Sequence, residues 1–281
     1  MTAPQTSTAT TAAAAGTAGT RTVPGRAAPL GNVNVRAGLL GVAILAVTLL
    51  LWYLAAELEW VSPLLIAPPG DVFAALGDMV ASGALWPNIY ATAFETLVGL
   101  VCAAALAFVL AVVFTFSETV HKAVLPYLVV IQTFPKVAIA PMVIAGFGYG
   151  LAPKAFLAAL LAFFPLLVNA MVGLASVGED QYNLFRSVRA GRWQILFKLR
   201  IPHAVSYILP ALNTAAVLAL IGAIVAEFVS AREGLGFAIQ AATQNGAIAA
   251  TYALLIVMGF FGVAIWLTMA VLNRLLARYR A

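Results

Sequence analysis

Hydrophobic runs of about one membrane thickness, separated by short polar segments, set the organisation of this chain. Ala37–Ala56 carries no charge, nor do Thr96–Ser117, Ala155–Gly178 and Ile201–Ala226. A hydrocarbon core about 30 Å thick takes about 20 helical residues to cross. Each run is therefore predicted to span a bilayer. Gly234–Asn273 is too long for one span, and Gln240, Thr243, Gln244 and Asn245 make its first part polar, so the last span is set to begin near Ala249. Between Lys122 and Lys154 the apolar stretch is interrupted by Pro126, Lys136 and Pro141. Proline inside a helix removes a backbone hydrogen bond, which predicts one kinked span. The expectation is an all-α membrane protein of about six transmembrane helices, near 37–56, 92–116, 123–147, 153–176, 204–228 and 249–273.

The polar segments differ in kind. Residues 1–35 are rich in Ala, Thr, Gly and Pro, without an acid or an aromatic ring. Such a composition cannot bury enough surface to offset its ordering entropy, and a disordered tail is expected. The run that follows is longer than a signal-peptide core and reads as an uncleaved span. Glu57 to about Asn88 holds Glu57, Glu59, Asp71 and Asp78 but no Lys or Arg. Pro68-Pro69-Gly70 is turn chemistry, and Asp71 is expected to cap an interfacial helix from Val72 to about Ala81.

Composition agrees with the pattern. Hydrophobic residues make up 63% and charged residues 9%, with a mean hydropathy of +1.02. Soluble domains carry about 25% charged residues, so a water-exposed surface is excluded. The net charge of +5 reads as topology and not as nucleic-acid affinity. With the N-terminus inside, twelve of the fifteen Lys and Arg fall in the tail, 117–122, 178–200 and the C-terminus. Only Lys154 and Arg232 fall on the other side. Basic residues accumulate in cytoplasmic segments, which places both termini in the cytoplasm of a multi-pass cell-membrane protein. Cys102 lies inside an apolar run and reads as a small hydrophobe. His121 and His203 lie far apart in sequence, and no metal site is expected.

The segment 178–201 is the informative one. Arg186, Arg189, Arg192, Lys198 and Arg200 alternate with Leu184, Val188, Trp193, Ile195, Leu196 and Leu199. Leu184, Val188, Ile195 and Leu199 have the spacing of one helix face, and Ala190-Gly191 is expected to break the run into two short helices. An interfacial anchor, a plain connector and a docking element for a soluble partner are all compatible with that pattern.

Asn183-Leu184-Phe185-Arg186-Ser187-Val188-Arg189-Ala190-Gly191-Arg192-Trp193-Gln194, then Leu199-Arg200-Ile201-Pro202, resembles the EAA loop of permease subunits of binding-protein-dependent ABC importers. The family pattern is Glu-Ala-Ala, three residues, Gly, nine residues, then Ile-x-Leu-Pro. With Pro202 on the final Pro, Asn183 stands at the Glu and Arg189 at the Gly. The resemblance extends through Pro68–Val72, Gln132–Pro141 with Phe147–Gly150, Phe163–Asn169, Val225–Phe228 and Gly234–Gly236. It is greatest for the subgroup importing taurine, alkanesulfonates, nitrate or bicarbonate, and pyrimidine precursors of thiamine.

That resemblance implies a transmembrane domain over 36–281 that pairs with a second copy. Each copy would offer its loop as a coupling helix to an ATPase subunit, and an extracytoplasmic binding protein would deliver the solute. It implies ATPase-coupling roles for Asn183, Leu184, Phe185, Arg186, Val188, Arg189, Gly191, Arg192, Trp193 and Pro202. No Gly-x-x-x-x-Gly-Lys-Ser/Thr phosphate loop occurs in the sequence. ATP and Mg are accordingly expected on the partner ATPase, with no cofactor and no catalytic residue in this chain.

Charges in hydrocarbon are costly and face a cavity or a partner. Glu95, Lys136 and Glu227 are such charges, and Gln132 lies one turn from Lys136. One reading makes Lys136 and Gln132 contacts for an anionic or polar solute; the other pairs Lys136 internally with Glu95 or Glu227. Asn169, Glu95 and Glu227 are further candidates for the translocation pathway; in the other reading Glu227 snorkels or bonds another helix and Asn169 bonds across helices. The alternative function is an ion-coupled secondary transporter using Glu95 or Glu227. Such carriers often show two related halves, and no internal repeat is evident here. A membrane-embedded enzyme finds no paired acids, His cluster or nucleophile motif to support it.

Overall fold

The computed structural model describes residues 30–58, 60, 62 and 65–277. Residues 1–29, most of the segment expected to be a disordered tail, lie outside the described residues. α1 (Leu30–Glu57) thus begins inside the last residues assigned to that tail. The chain divides into two compact units, one ending at Leu51 and the other starting at Trp52. The described part of the first, Leu30–Leu51, is helical throughout. The second holds the rest of the fold.

α2 (Pro69–Ala81) starts two residues before the expected Asp71 cap. Asp71 sits in its first turn and makes no capping bond, because Pro69 pre-sets the first helical position. Trp52 and Tyr252 hold the preceding loop by donating to the Ala67 and Leu65 carbonyls at 3.2 and 2.9 Å. α3 (Leu85–Thr115) is longer than expected at its start. The expected single kinked span is two helices, α4 (Glu118–Gln132) and α5 (Ala140–Phe147), joined through a 3₁₀ turn at Lys136–Ile139. The bend is 76°. It falls at Thr133–Pro135, not at Pro126 or Pro141, since the residue before a proline is driven out of the α region. Pro126 is accommodated inside α4, and Pro141 lies at the start of α5, where no amide bond is lost.

α6 (Leu151–Ala175), α7 (Glu179–Ser187), α8 (Arg192–Ile195), α9 (Ile201–Ser230), α10 (Leu235–Gln244) and α11 (Ile248–Ala277) complete the chain. Among the described residues, five helices are long and apolar enough to cross a membrane, with a sixth span if the bent pair counts as one. α3, α6 and α9 form the core, and their contact surfaces are built from small residues, among them Ala103, Ala107, Ala158, Ala162, Ala215 and Ala219. Helices in lipid gain little from hydrophobic association and depend on close packing. At Gly222 a Cβ would lie 2.6 Å from the Leu157 carbonyl oxygen, so α6 and α9 touch backbone to backbone. α2 and α10 pack with α11 through Leu76, Met79, Leu235, Ile239 and Leu254.

Candidate functional site

The loop between α6 and α9 is built around a helix ending. α7 closes with two bonds, Arg189 N–H to the Arg186 carbonyl at 2.9 Å and Ala190 N–H to the Phe185 carbonyl at 3.0 Å. This pair defines a Schellman ending, whose C′ residue adopts the left-handed conformation and is usually glycine. Arg189 holds that place with φ 55°, alone in having positive φ among the described non-glycine residues. It is also the position at which the family pattern carries Gly.

Gly191 then precedes α8 as its N-cap, and its N–H donates to Gln194 Oε1 at 2.9 Å. A π-helical turn, Leu196–Arg200, joins α8 to α9. There the Ile201 N–H reaches back to Leu196, beside Pro202, which has no N–H to offer. Leu184, Val188, Ile195 and Leu199 do not share a face, contrary to their spacing. The left-handed turn redirects the chain between them, leaving Leu184 63% and Val188 70% exposed while Ile195 is buried.

The loop is tied to the end of α3. Arg200 Nη1 donates to the Thr115 carbonyl at 3.2 Å, placing a cation at the negative end of the α3 dipole. Its guanidinium also lies 5.5 Å from the Tyr182 ring. Trp193 packs edge-on to Phe116 at 5.1 Å and stacks with Phe197 at 6.0 Å, yet remains 62% exposed. Asn183, Arg186, Arg192 and Pro202 are exposed and Phe185 is half-buried. The loop thus offers Leu184, Val188 and Trp193 as apolar anchors among three arginines. Sequence reasoning did not give Arg200 this tethering role.

A second cluster of polar groups is buried where α3, α6, α9 and α10 meet. Glu227 is fully buried; Oε1 accepts from the Thr92 hydroxyl and Oε2 from the Gly236 N–H, both at 2.6 Å. Thr92 Oγ1 in turn accepts the Leu235 N–H at 2.8 Å, and Asn88 Oδ1 accepts the Gly234 N–H at 2.9 Å. Three successive amides at the start of α10 are therefore capped by side chains of α3 and α9, with a carboxylate at the positive end of the helix. A Cβ at Gly234 would collide with the Glu227 carboxylate, and its φ of 125° favours glycine as well.

Beside this, Lys154 pairs with Glu95 at 2.5 Å, both nearly buried, and reaches the Glu233 carbonyl at 3.4 Å. Glu227 bonds between helices, one of its two expected alternatives. Lys154, counted from sequence as an outer-loop cation, is the internal partner of Glu95. Its place at the opening of an apolar run was the one signal available.

Lys136 pairs with neither Glu95 nor Glu227. Its ammonium donates to the Gln132 carbonyl across the helix break at 2.9 Å and stands 5.1 Å from the centre of the Phe164 ring. Asn169 donates to the Pro165 carbonyl in its own helix at 2.8 Å, where a bond between helices was expected. An Asn inside a helix can bond back to the carbonyl four residues earlier, the acceptor nearest to its side chain.

Residues 97–280 match the family described as binding-protein-dependent transport system inner membrane component. The formylaminopyrimidine transport permease protein ThiX of Halalkalibacterium halodurans is 32% identical over 189 residues, 67% of this chain and 75% of that protein. The riboflavin transport system permease protein RibX of Chloroflexus aurantiacus is 30% identical over 237 residues, 84% of this chain and 88% of its own. The taurine transport system permease protein TauC of Escherichia coli is 29% identical over 212 residues, 73% and 76% of the two chains.

Proposed function

The chain belongs to the binding-protein-dependent transport system inner membrane component family, and on that premise we propose how this permease subunit is coupled, oriented and supplied. It is the membrane-spanning part of an ABC importer, and the ion-coupled carrier is not favoured. The loop 178–201 is the coupling element, gripped by a separate ATPase subunit that holds ATP and Mg. Two permease copies pair, both termini face the cytoplasm, and an extracytoplasmic binding protein delivers the solute. The left-handed turn at Arg189 supports the coupling role most directly. It falls at the glycine of the family pattern and presents Leu184, Val188 and Trp193 outward, a surface that fits a groove in a soluble partner.

Relatives named for formylaminopyrimidine, taurine and nitrate transport support a small polar or anionic cargo. Lys136 and Gln132, at the break between α4 and α5, are the proposed pathway contacts; Glu95 and Glu227 serve the packing of the helices around them. Purification of the tagged chain from native membranes in mild detergent tests the coupling role. The ATPase chain co-purifies with the wild type and is lost when Arg189→Asp and Trp193→Asp are combined. Undiminished co-purification of that variant would overturn it.

A further inference from the structure

A cavity of about 250 Å³ lies between the end of α3 and the loop that joins α6 to α9. Thr115 and Phe116 form one wall; Tyr182, Arg192, Ile195, Leu196 and Arg200 form the rest. Two guanidiniums and a phenol therefore share this space with three large apolar side chains. No carboxylate lines it, and among the described residues neither arginine forms an ion pair. A guanidinium carries five N–H donors. Arg200 spends one on the Thr115 carbonyl at 3.2 Å, which answers the negative end of α3. The other donors of the two arginines are left for an anion, and planar guanidiniums suit phosphate oxygens in particular.

The place of the cavity narrows the choice of anion. α3 is long and apolar enough to span a membrane, and the cavity opens at its last residues, the level at which hydrocarbon gives way to headgroups. Leu106, Val109, Val113 and Phe116 are exposed, and their spacing puts them on one face of α3 that runs up to the cavity. Trp193 packs edge-on to Phe116 beside it, an aromatic pair of the kind that collects at membrane interfaces. The volume is below the about 300–1,000 Å³ of drug-sized sites, which suits a headgroup whose tails stay outside.

We propose that this cavity binds the phosphodiester headgroup of an anionic phospholipid, with an acyl chain along the exposed face of α3. Arg192 and Arg200 hold the phosphate oxygens, and Tyr182 supplies a hydroxyl. Basic pockets between spanning helices are suited to such headgroups. Leu184, Val188 and Trp193, the anchors proposed for the ATPase, do not line the cavity, so lipid and ATPase bind the loop together. The proposal rests on the membrane placement of α3 and not on the coupling role of the loop.

Native mass spectrometry of the full-length chain with its co-purified partners, titrated with phosphatidylglycerol in detergent, tests it. Phosphatidylglycerol binds, and phosphatidylcholine, whose headgroup carries its own cation, binds more weakly. Arg192→Gln raises the half-saturating concentration of phosphatidylglycerol about fivefold, the worth of one cation toward an anionic lipid; combining it with Arg200→Gln raises it about twenty-fivefold. Arg200 also tethers α3, so Arg192→Gln, which removes an exposed side chain, decides the matter if the double variant does not fold. Lys198→Gln removes an exposed cation of the same loop that does not line the cavity, and leaves binding unchanged.

Equal binding of the two lipids overturns the proposal. So does an equal loss in Lys198→Gln, which would reduce the effect to the net charge of the loop. Displacement of the lipid by excess inorganic phosphate would make the cavity a site for soluble anions. Binding seen only after the ATPase has been removed would give the two arginines to the ATPase, and either result overturns the lipid reading.

Discussion

Arg189 occupies a backbone conformation that brings a Cβ too close to the following carbonyl, a penalty of about 1–2 kcal/mol for an ordinary residue. The two hydrogen bonds that close α7 hold it there. Glycine has no Cβ but loses more freedom on folding, about 0.5–1 kcal/mol, so part of the strain relief is returned. Arg189→Gly is therefore expected to stabilise the chain modestly, by about 0.5–1 kcal/mol. The midpoint of thermal aggregation in detergent should rise by a few degrees. A fall would mean that the guanidinium contributes more to the folded state than the turn costs. Asn183, Arg186 and Arg192 are exposed and stand in no such conformation, so no gain of this kind is expected from replacing them.

At the scale of elements, the polar cluster at the start of α10 determines how that helix is attached. Its first amides find partners on α3 and α9, and Glu227 alone joins Thr92 to Gly236. Removing the carboxylate leaves a buried N–H without an acceptor, each such loss costing about 1–3 kcal/mol. Glu227→Ala should therefore lower hydrogen-exchange protection of the Leu235–Ile239 amides by about 2–3 kcal/mol while α6 keeps its own. Glu227→Gln, which retains one acceptor oxygen, should lose less. Equal protection in the alanine variant would show that the cap is dispensable.

The long apolar helices were legible in sequence because length and hydrophobicity alone specify a membrane span. The capping cluster was not. Its members Asn88 and Thr92 on α3, Lys154 on α6, Glu227 on α9 and Gly236 on α10 come from four separate elements, and only packing brings them together. The kink between Lys122 and Lys154 was legible from its prolines, but its exact place at Thr133–Pro135 was not, because the local pattern does not say which prolines the neighbouring helices let the chain keep inside a helix. The loop face assigned to Leu184, Val188, Ile195 and Leu199 failed because a single left-handed residue, which periodicity cannot see, lies in its middle.

At the scale of the whole molecule, the pairing of Lys154 with Glu95 sharpens the charge asymmetry. A buried, neutralised cation is no longer an outer-loop charge, so Arg232 is left as the basic residue of that side, against twelve on the other. The proposed orientation gains from this, and it separates two roles of the loop arginines. Orientation depends on the sum of basic residues near span ends and little on acids. Replacing Arg186, Arg189 and Arg192 by Glu still leaves the tail, Lys122, Lys198, Arg200 and the C-terminal arginines in place, so the chain should insert as before. The exposed surface proposed to meet the ATPase changes sign, and charge reversal at an interface typically costs several kcal/mol. In proteoliposomes containing the complete transporter, the triple variant should hydrolyse ATP at a rate no longer stimulated by solute-loaded binding protein. Its uptake should fall by at least about tenfold, with the amount of inserted permease unchanged. Wild-type uptake per permease would remove these arginines from coupling and leave the apolar anchors Leu184, Val188 and Trp193 to carry it; loss of insertion would instead show that they set topology after all.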